Sequence, residues 1–395
     1  MHDVLIIGAG PAGLTAARSL REAGVKDILV VERTPTPGGL PRFAGHLGWG
    51  MLDRQRLWTG PVYARKLAEA AGVPIMTDTT VTALLPGGGV MLSTRHGMEE
   101  RRAKRVLLAT GIREMPRSAR LLSGSRPWGV MSTGAFQELV MAGGVVPFRR
   151  PVVLGTELVS FSALLTARHG KIKPVAMIEE APRITARQPA DLLTRTLLGV
   201  PVLTGTRLLR IEGKERVTGV VVERGGREEH ISCDGVIVSG KFVPEAALLR
   251  VSHLAVDQAT GGPAIDNFGR CSDPAFFASG NLRRPVEHSG AVALEARRTA
   301  GFIHQSLAGA LPEAPLAIAP GGKLRWVTPQ RASPVGETLR FEARAERAKR
   351  GMLRVLADGK VVQEKPVSAL PERRITIEVP CRRLRAARQI EVRLD

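Results

Sequence analysis

Three observations predict an α/β chain of two related parallel-sheet domains, one split by the other, followed by a small antiparallel β domain. A glycine-rich turn, Gly8-Ala9-Gly10-Pro11-Ala12-Gly13, joins an apolar strand to a helix. The same order of strand, turn, helix and strand recurs from residue 152. In both copies 24 residues separate the turn's first glycine from the acid that ends the next strand, Gly8 to Glu32 and Gly155 to Glu179. Residues 323–395 alternate apolar and polar as strands do. A length of 395 residues exceeds one ordinary core and leads us to expect two or three domains.

The elements follow in order. Asp3 to Gly8 reads as a buried parallel strand, residues 12–23 as a helix stopped by Gly24, and Ile28 to Glu32 as a second strand. A loop rich in Gly and Pro runs from Pro35 to about Trp58, and long loops in compact domains are usually functional. A helix to Ala71 has Pro61 in its first turn. Short strands near Val81 and Met91 lead to a strand ending at Ala109-Thr110-Gly111. The second copy has strands at Val152–Gly155 and Val175–Glu179 around a helix at 157–169, two β runs joined at Gly213-Lys214-Glu215, and a strand at Gly235–Gly240. A strand at Ala275–Ala278 and a helix at 290–308 return to the first domain. The expected division is therefore 1–115 with 241–316, then 116–240, a linker from Pro312 to Gly322, and a module at 323–395.

Hydrophobic residues make up 44% and charged residues 24%, the composition of an ordinary globular protein. The net charge is +20, and the final module holds 18 basic against 9 acidic residues, a net +9. The basic residues are mostly scattered arginines, aromatics are only 4%, and no groove-reading or base-stacking motif occurs. Nucleic acid is thereby disfavoured relative to an acidic partner or an anionic substrate. No apolar run reaches the length of a membrane span, and the N-terminus lacks the basic region of a signal peptide. The expected location is the cytoplasm, or the membrane periphery through a partner. Cys233, Cys271 and Cys381 are far apart, so neither a redox dithiol nor a thiolate metal cage is expected. No spaced set of metal ligands is present.

Gly8 to Gly13 matches the dinucleotide pattern G-x-G-x-x-G in the context that gives the pattern meaning: a strand before, a helix after and an acid ending the next strand. Gly8 permits the tight turn, Gly10 lets a pyrophosphate approach, and Gly13 lets helix and strand pack. Helix N–H groups beyond Pro11 and Ala12 take the phosphates, while Glu32, followed by Arg33, accepts from the ribose. The later features indicate FAD rather than NAD. Gly38-Gly39 allows further close approach, Ala109, Thr110 and Gly111 end a strand where ligands of such sheets gather, and Gly280 and Asn281 end another. Asn281 is placed to hold the ribityl chain or pyrophosphate. Ser289 is the expected cap of a helix that, with Gly290, lends positive potential to the flavin.

These motifs resemble those of the FAD-dependent pyridine-nucleotide–disulfide oxidoreductase superfamily of thioredoxin-reductase-like build, over residues 1 to about 308. The resemblance implies two Rossmann-like dinucleotide-binding domains of the three-layer ββα type, with the FAD domain split by an NAD(P)-like one. Gly45–Gly50, Thr59–Ala64, Gly213–Val217, Ala259–Gly262 and the module from Trp326 also resemble flavin subunits of glycerol-3-phosphate-dehydrogenase-like, opine oxidase-like, hydrogen cyanide synthase and dye-linked amino-acid dehydrogenase complexes. That implies a hetero-oligomer with a second flavoprotein or an iron–sulfur subunit. The chain departs from the superfamily in lacking the CxxC and in carrying Asn281 where an Asp is usual, and, unlike some opine-oxidase-type subunits, it has no C-terminal cysteine cluster for an iron–sulfur centre.

In the second turn only Gly155 survives; Glu157 replaces the second glycine and Ser160 the third. A carboxylate facing a pyrophosphate at ~4 Å costs about 1–4 kcal/mol, so NAD(P)H binding there is in doubt. Were it to bind, Glu179 would favour NADH over NADPH. The candidates for chemistry are His46, to take a proton from a substrate amine or alcohol, Arg42, to hold a substrate carboxylate, and His288, at the flavin edge. The leading expectation is the flavin subunit of a multi-subunit dehydrogenase acting on an amino acid, opine, hydroxy acid or polyol phosphate. Alternatives are a self-sufficient NAD(P)H-dependent flavin oxidoreductase and a non-catalytic, flavin-holding scaffold.

Overall fold

The computed structural model describes residues 1–186 and 198–395. The chain forms two compact units: Met1–Gly39, Arg65–Ile112 and Pro244–Asp395 make one, and Leu40–Ala64 with Arg113–Val243 make the other. The segment Leu40–Ala64, expected with the first domain, thus groups with the second unit.

The first unit is built on a parallel sheet in the order Ile75–Met76, Ile28–Val31, His2–Ile7, Gly97–Leu108, Phe276–Ala278. Its inner strands are continuous apolar runs because both faces are covered: Val4 to Ile7 and Ile28 to Val31 are all buried. Residues 97–108 serve two sheets. Ala103 to Leu108 pair in parallel with the opening strand, and Leu107 lies between Ile6 and Phe277. Gly97 to Arg102 instead pair antiparallel with Gly89–Thr94, which pairs with Thr80–Leu85. This meander buries every second or third side chain, as a one-sided ribbon does.

The second unit repeats the plan. Its parallel sheet runs Val202–Leu203, Ala176–Ile178, Pro151–Leu154, Gly235–Val238, Val130–Ser132. Its meander is Thr206–Glu212, Gly219–Arg224 and Arg227–Ser232. The stretch expected as a bare loop from Pro35 to Trp58 carries structure of its own: a helical turn at Leu40–Phe43, a short helix at Met51–Arg54, and a ribbon pairing Leu47 with Thr59 and Trp49 with Trp58. Ribbon pairing gives those backbone groups partners that Gly and Pro content does not reveal.

The C-terminal module begins earlier than expected. Leu316–Gly322, read from sequence as linker, is a strand, and it pairs in parallel with Gln389–Leu394. Its Pro and Gly disguised it, yet Leu316 and Ile318 point into the module's core. The remaining pairs are antiparallel, in one sheet of five strands and one of three. Alternation aims Leu339, Phe341, Ala343 and Ala345 inward to meet Leu353, Val355, Ile390 and Val392. The module is fastened to the first unit: Gln330 N–H donates to Ile265 O at 2.9 Å, Ile265 N–H to Gln330 Oε1 at 3.0 Å, and Ser333 N–H to Asn267 Oδ1 at 2.8 Å. Among the described residues no helix is long and apolar enough to cross a membrane. Phe341→Ala is expected to lower stability by about 3–5 kcal/mol, the cost of emptying a fully buried aromatic site, as measured by chemical denaturation.

Candidate functional site

The first glycine turn contains two kinds of glycine. Gly8 has φ +106°, and a Cβ there would lie 2.5 Å from Ala109 O; at Gly13 a Cβ would lie 1.9 Å from Gly8 O. The chain's own backbone demands both. Gly10 is different, because a Cβ there would meet only Gly39 Cα, at 3.9 Å. No protein atom forbids a side chain at Gly10, so the room left open is the room a ligand's diphosphate needs. Gly10 also starts the helix Pro11–Glu22 with no side-chain cap, and Pro11 has no N–H to satisfy, so the remaining first-turn donors stay available. Gly39, at φ +65°, packs against Gly10, and Gly38 N–H donates to Ala9 O at 2.7 Å.

Glu32 is buried and oriented. Its Oε2 accepts from Ala9 N–H at 2.9 Å, and Oε1 accepts from the Thr34 N–H at 2.9 Å and hydroxyl at 2.8 Å. A carboxylate offers about four acceptor positions, so capacity for a ribose hydroxyl remains. Arg33 is exposed. Ala109 N–H donates to Ile7 O, Thr110 Oγ1 donates to Glu245 O at 2.8 Å, and nothing lies near the missing Cβ of Gly111.

The other wall is the loop at 279–289. Gly280, at φ +73°, sits where a Cβ would be 2.9 Å from Ala12 Cβ and 3.0 Å from Val292 Cγ1. The N-terminal ends of the opening helix and of Ser289–Leu307 therefore meet around it. The Asn281 side chain closes the loop on itself: Oδ1 accepts from Glu287 N–H at 2.7 Å and Nδ2 donates to Glu287 O at 3.1 Å. The late helix starts at Ser289, one residue earlier than expected, which moves the cap from Ser289 to His288. His288 Nδ1 accepts from Gly290 N–H at 3.2 Å. Ser279 Oγ and Ser289 Oγ, at the two ends of this loop, are buried with no partner within the chain. Orphaned hydroxyls of this kind, beside two helix N-termini and an open Gly10, fit a dinucleotide that supplies the missing bonds. The Ala259–Gly262 motif supports the loop: a Cβ on Gly262 would lie 2.3 Å from Leu282 O.

The second turn is closed by its own side chains. Thr156 stands where the first copy has Ala9, and its hydroxyl donates to Glu179 Oε2 at 2.5 Å while Ala181 N–H donates to Glu179 Oε1 at 2.9 Å. Glu157 stands where the first copy has Gly10. Its carboxylate accepts from Lys241 N–H at 2.9 Å and lies so close to Gly240 that a Cβ there would be 2.4 Å from Oε1. The space left empty at Gly10 is here filled by a negative group at the start of the helix Leu158–His169. Ser160 bonds Ser239 at 2.8 Å. Glu114 and Arg120, which no motif marked, join this cluster. Glu114 accepts from Gly240 N–H and Gly134 N–H at 2.9 and 2.8 Å, and Arg120 donates to Gly240 O. Burial raises the Glu114 carboxyl above the usual range despite those N–H bonds, and burial lowers Arg120.

His46 lies on the Leu40–Ala64 segment, beside a cleft of about 410 Å³ lined also by Gly45, Met141, Leu165, Arg168 and His169. Its Nδ1 meets Leu47 O at 2.8 Å, so that nitrogen carries the hydrogen, and Nε2 accepts from the Ser162 hydroxyl at 2.7 Å. Ser162 in turn accepts from Gln137 at 2.8 Å. The Arg42 guanidinium lies 4.8 Å from the Phe43 ring centre. All three cysteines are buried and unpaired; burial pushes the Cys233 thiol up to about 11 and Cys271 higher still. Among the described residues no group of three His, Cys, Asp or Glu side chains can hold a metal.

The family profile of the pyridine nucleotide-disulphide oxidoreductases matches residues 2–300. The chain belongs to that family. This oxidoreductase-family member is 28% identical over 314 residues to the alpha chain of sarcosine oxidase from Rhizobium meliloti (strain 1021), covering 74% of this chain and 28% of that one. It is 27% identical over 338 residues to an opine oxidase subunit of Rhizobium meliloti, covering 76% of this chain and 61% of that one. The chain thus spans less than two thirds of either relative. Its fold matches thioredoxin reductase of T. acidophilum, with a TM-score of 0.65 at 22% identity over 77% of this chain and 98% of that one. L-proline dehydrogenase from P. horikoshii gives 0.56 at 18% identity, over 78% and 56%. FAD is the cofactor the family implies for this chain.

Two glycine substitutions separate ligand from scaffold. Gly10→Ala is expected to cost the apoprotein less than about 1 kcal/mol while weakening FAD binding at least about tenfold. Gly13→Ala is expected to destabilise the apoprotein itself. Thermal unfolding and flavin titration on both variants check this.

Proposed function

We propose that this chain is the FAD-bearing subunit of a multi-subunit dehydrogenase that oxidises a small organic substrate and passes the electrons to partner redox subunits. The observation that carries the reading is the contrast between the two turns. The Gly10 cradle is open, whereas Glu157 and Thr156 occupy its counterpart. A negative carboxylate at a helix start repels a diphosphate where the other copy attracts one. With no dithiol in the sequence to reduce, the flavin has a small-molecule donor on one side and a protein acceptor on the other.

Bound FAD supplies the two-electron chemistry, and the chain supplies position and potential. Gly8, Gly13 and Gly280 bring two helix starts together, Glu32 orients toward the ribose, and Asn281 shapes the loop between the helices. The relatives named for sarcosine and opine oxidation favour a secondary amino acid or opine over a hydroxy acid or polyol phosphate. They are also named as subunits, which supports an assembly with another flavoprotein or iron–sulfur protein. Exposed apolar side chains crowd one stretch of the chain, Leu40, Leu47, Met51, Leu52 and Leu57, and such surface suits a partner interface. His46, Arg42 and His288 remain the proposed substrate-side groups. His46 already holds Ser162 through Nε2, so proton transfer at that nitrogen requires this bond to open.

Anaerobic mixing with NADH or NADPH is expected to leave the flavin absorbance oxidised on the catalytic timescale. Rapid bleaching by either would instead establish a self-sufficient NAD(P)H-dependent flavin oxidoreductase. Purification from the native host is expected to bring down at least one further redox protein; a free monomer would count against the assembly. Replacing FAD by a redox-inert analogue is expected to abolish the complex's activity, whereas full activity would mark a scaffold.

A further inference from the structure

The C-terminal module lies outside the family match at residues 2–300, yet its side chains reach the loop that walls the FAD cradle. Arg284, in that loop, is 1% exposed. One of its nitrogens pairs with Glu295 at 2.9 Å and with Glu342, which stands on the module strand Thr338–Ala345. Glu295, on the late helix, also pairs with Arg283 at 3.1 Å and accepts from Gly280 N–H at 2.8 Å. From the module, Arg374 pairs with Glu342 at 2.8 Å and with Glu287 at 3.4 Å. Glu287 is the residue whose backbone holds both ends of the Asn281 carboxamide. An unbroken chain of charge pairs therefore runs from the module to the Gly280 amide and the Asn281 side chain.

Arg283, Arg284 and Arg374 face Glu287, Glu295 and Glu342, and Arg340 also reaches Glu342, at 3.6 Å. Burial alone would raise Glu295, but the two neighbouring guanidiniums and the Gly280 amide hold its carboxyl down to about 2. A buried cation stripped of one partner is strongly unfavourable, so the arrangement is fixed by mutual dependence. No surface ion pair of the module has this property. Arg354 and Glu364, for instance, pair at 3.0 Å in the open.

We propose that the C-terminal β module is a working part of the flavin site: through Glu342 and Arg374, acting as positioning residues, it holds the 280–289 loop in the form that binds FAD. The proposal rests on FAD occupying the first cradle. Glu342 acts through Arg284 and Glu295 on the Gly280 amide, and Arg374 acts through Glu287 on Asn281. Both also contribute charge in a water-poor region, where an added or removed charge alters the stability of the electron-rich flavin.

The test uses the full chain and measures FAD dissociation and the flavin midpoint potential. Glu342→Gln and Arg374→Gln are each expected to weaken FAD binding about tenfold. Their potentials are expected to shift in opposite directions, upward where a negative charge is lost and downward where a positive one is lost. Glu364→Gln, on the same module, is expected to match the wild type, and Glu342→Asp to recover part of the affinity. Wild-type affinity in both Gln variants would overturn the proposal, as would weakened affinity with an unmoved potential in both, which is the signature of structural loss alone. If Glu342→Gln does not fold, Arg374→Gln, whose side chain is 24% exposed, decides by the same criteria. A wild-type chain that takes up no FAD would overturn the cradle and the clamp together, whereas wild-type uptake with unchanged variants removes only the clamp.

Discussion

The nucleotide cradle depends on one backbone approach. The Gly13 Cα comes so near the Gly8 carbonyl that the space between them cannot hold a single methyl group. That approach seats the opening helix against its strand, which carries Ala12 to Gly280. Gly280, with no room of its own, fixes the start of the late helix. The opening helix is thus aimed by main-chain packing at Gly8 and Gly13, and the start of the late helix is set by the Ala12 and Val292 side chains closing on Gly280. The first-turn donors of the opening helix are left without a side-chain cap in that position.

The two copies keep one kind of fold around two different turns. Both units pair five parallel strands and carry a three-stranded meander, continuous with the parallel sheet in the first unit and separate from it in the second. The change lies in three side chains at the turn. Thr156 supplies the Glu179 carboxylate with a bond from within, Glu157 occupies the open ground, and Ser160 joins a hydroxyl cluster with Ser239. All three have partners within the chain, whereas Ser279 and Ser289, in the loop beside the first turn, have none.

Most of the architecture was legible in the sequence because the signals were local. Apolar runs marked the parallel strands, glycines marked the turns, and the matched spacing from Gly8 to Glu32 and from Gly155 to Glu179 marked the repeat. The tight form of the first turn was legible for the same reason, since Gly8 and Gly13 are forced by nearby backbone, whereas Gly10 is not. What escaped was non-local or disguised. The strand at Leu316–Gly322 hid behind Pro and Gly that an edge-like parallel pairing tolerates. The cap passed from Ser289 to His288 because an imidazole nitrogen can accept the same bond that a hydroxyl can. The Glu114–Arg120 cluster and the pairing of Arg284 with Glu342 join residues far apart in the chain, and no periodicity announces such meetings. His46 carried a chemical suggestion, but its surroundings, Leu47 O and Ser162, are visible only once the chain is folded.

The pairing of Phe276–Ala278 with Val106–Leu108 has a bearing on biosynthesis. The central strand of the first unit leaves the ribosome with one edge open, and its partner follows only after the whole second unit has been made. At about 5–20 residues per second, the intervening 167 residues take roughly 8 to 34 seconds to translate. For that interval a strand of buried apolar residues is a template for misplaced pairing. The nascent chain therefore passes through a vulnerable stage at which a holdase or trigger-type chaperone would have its greatest effect. It leaves that stage only when Phe276–Ala278 pairs with the open edge.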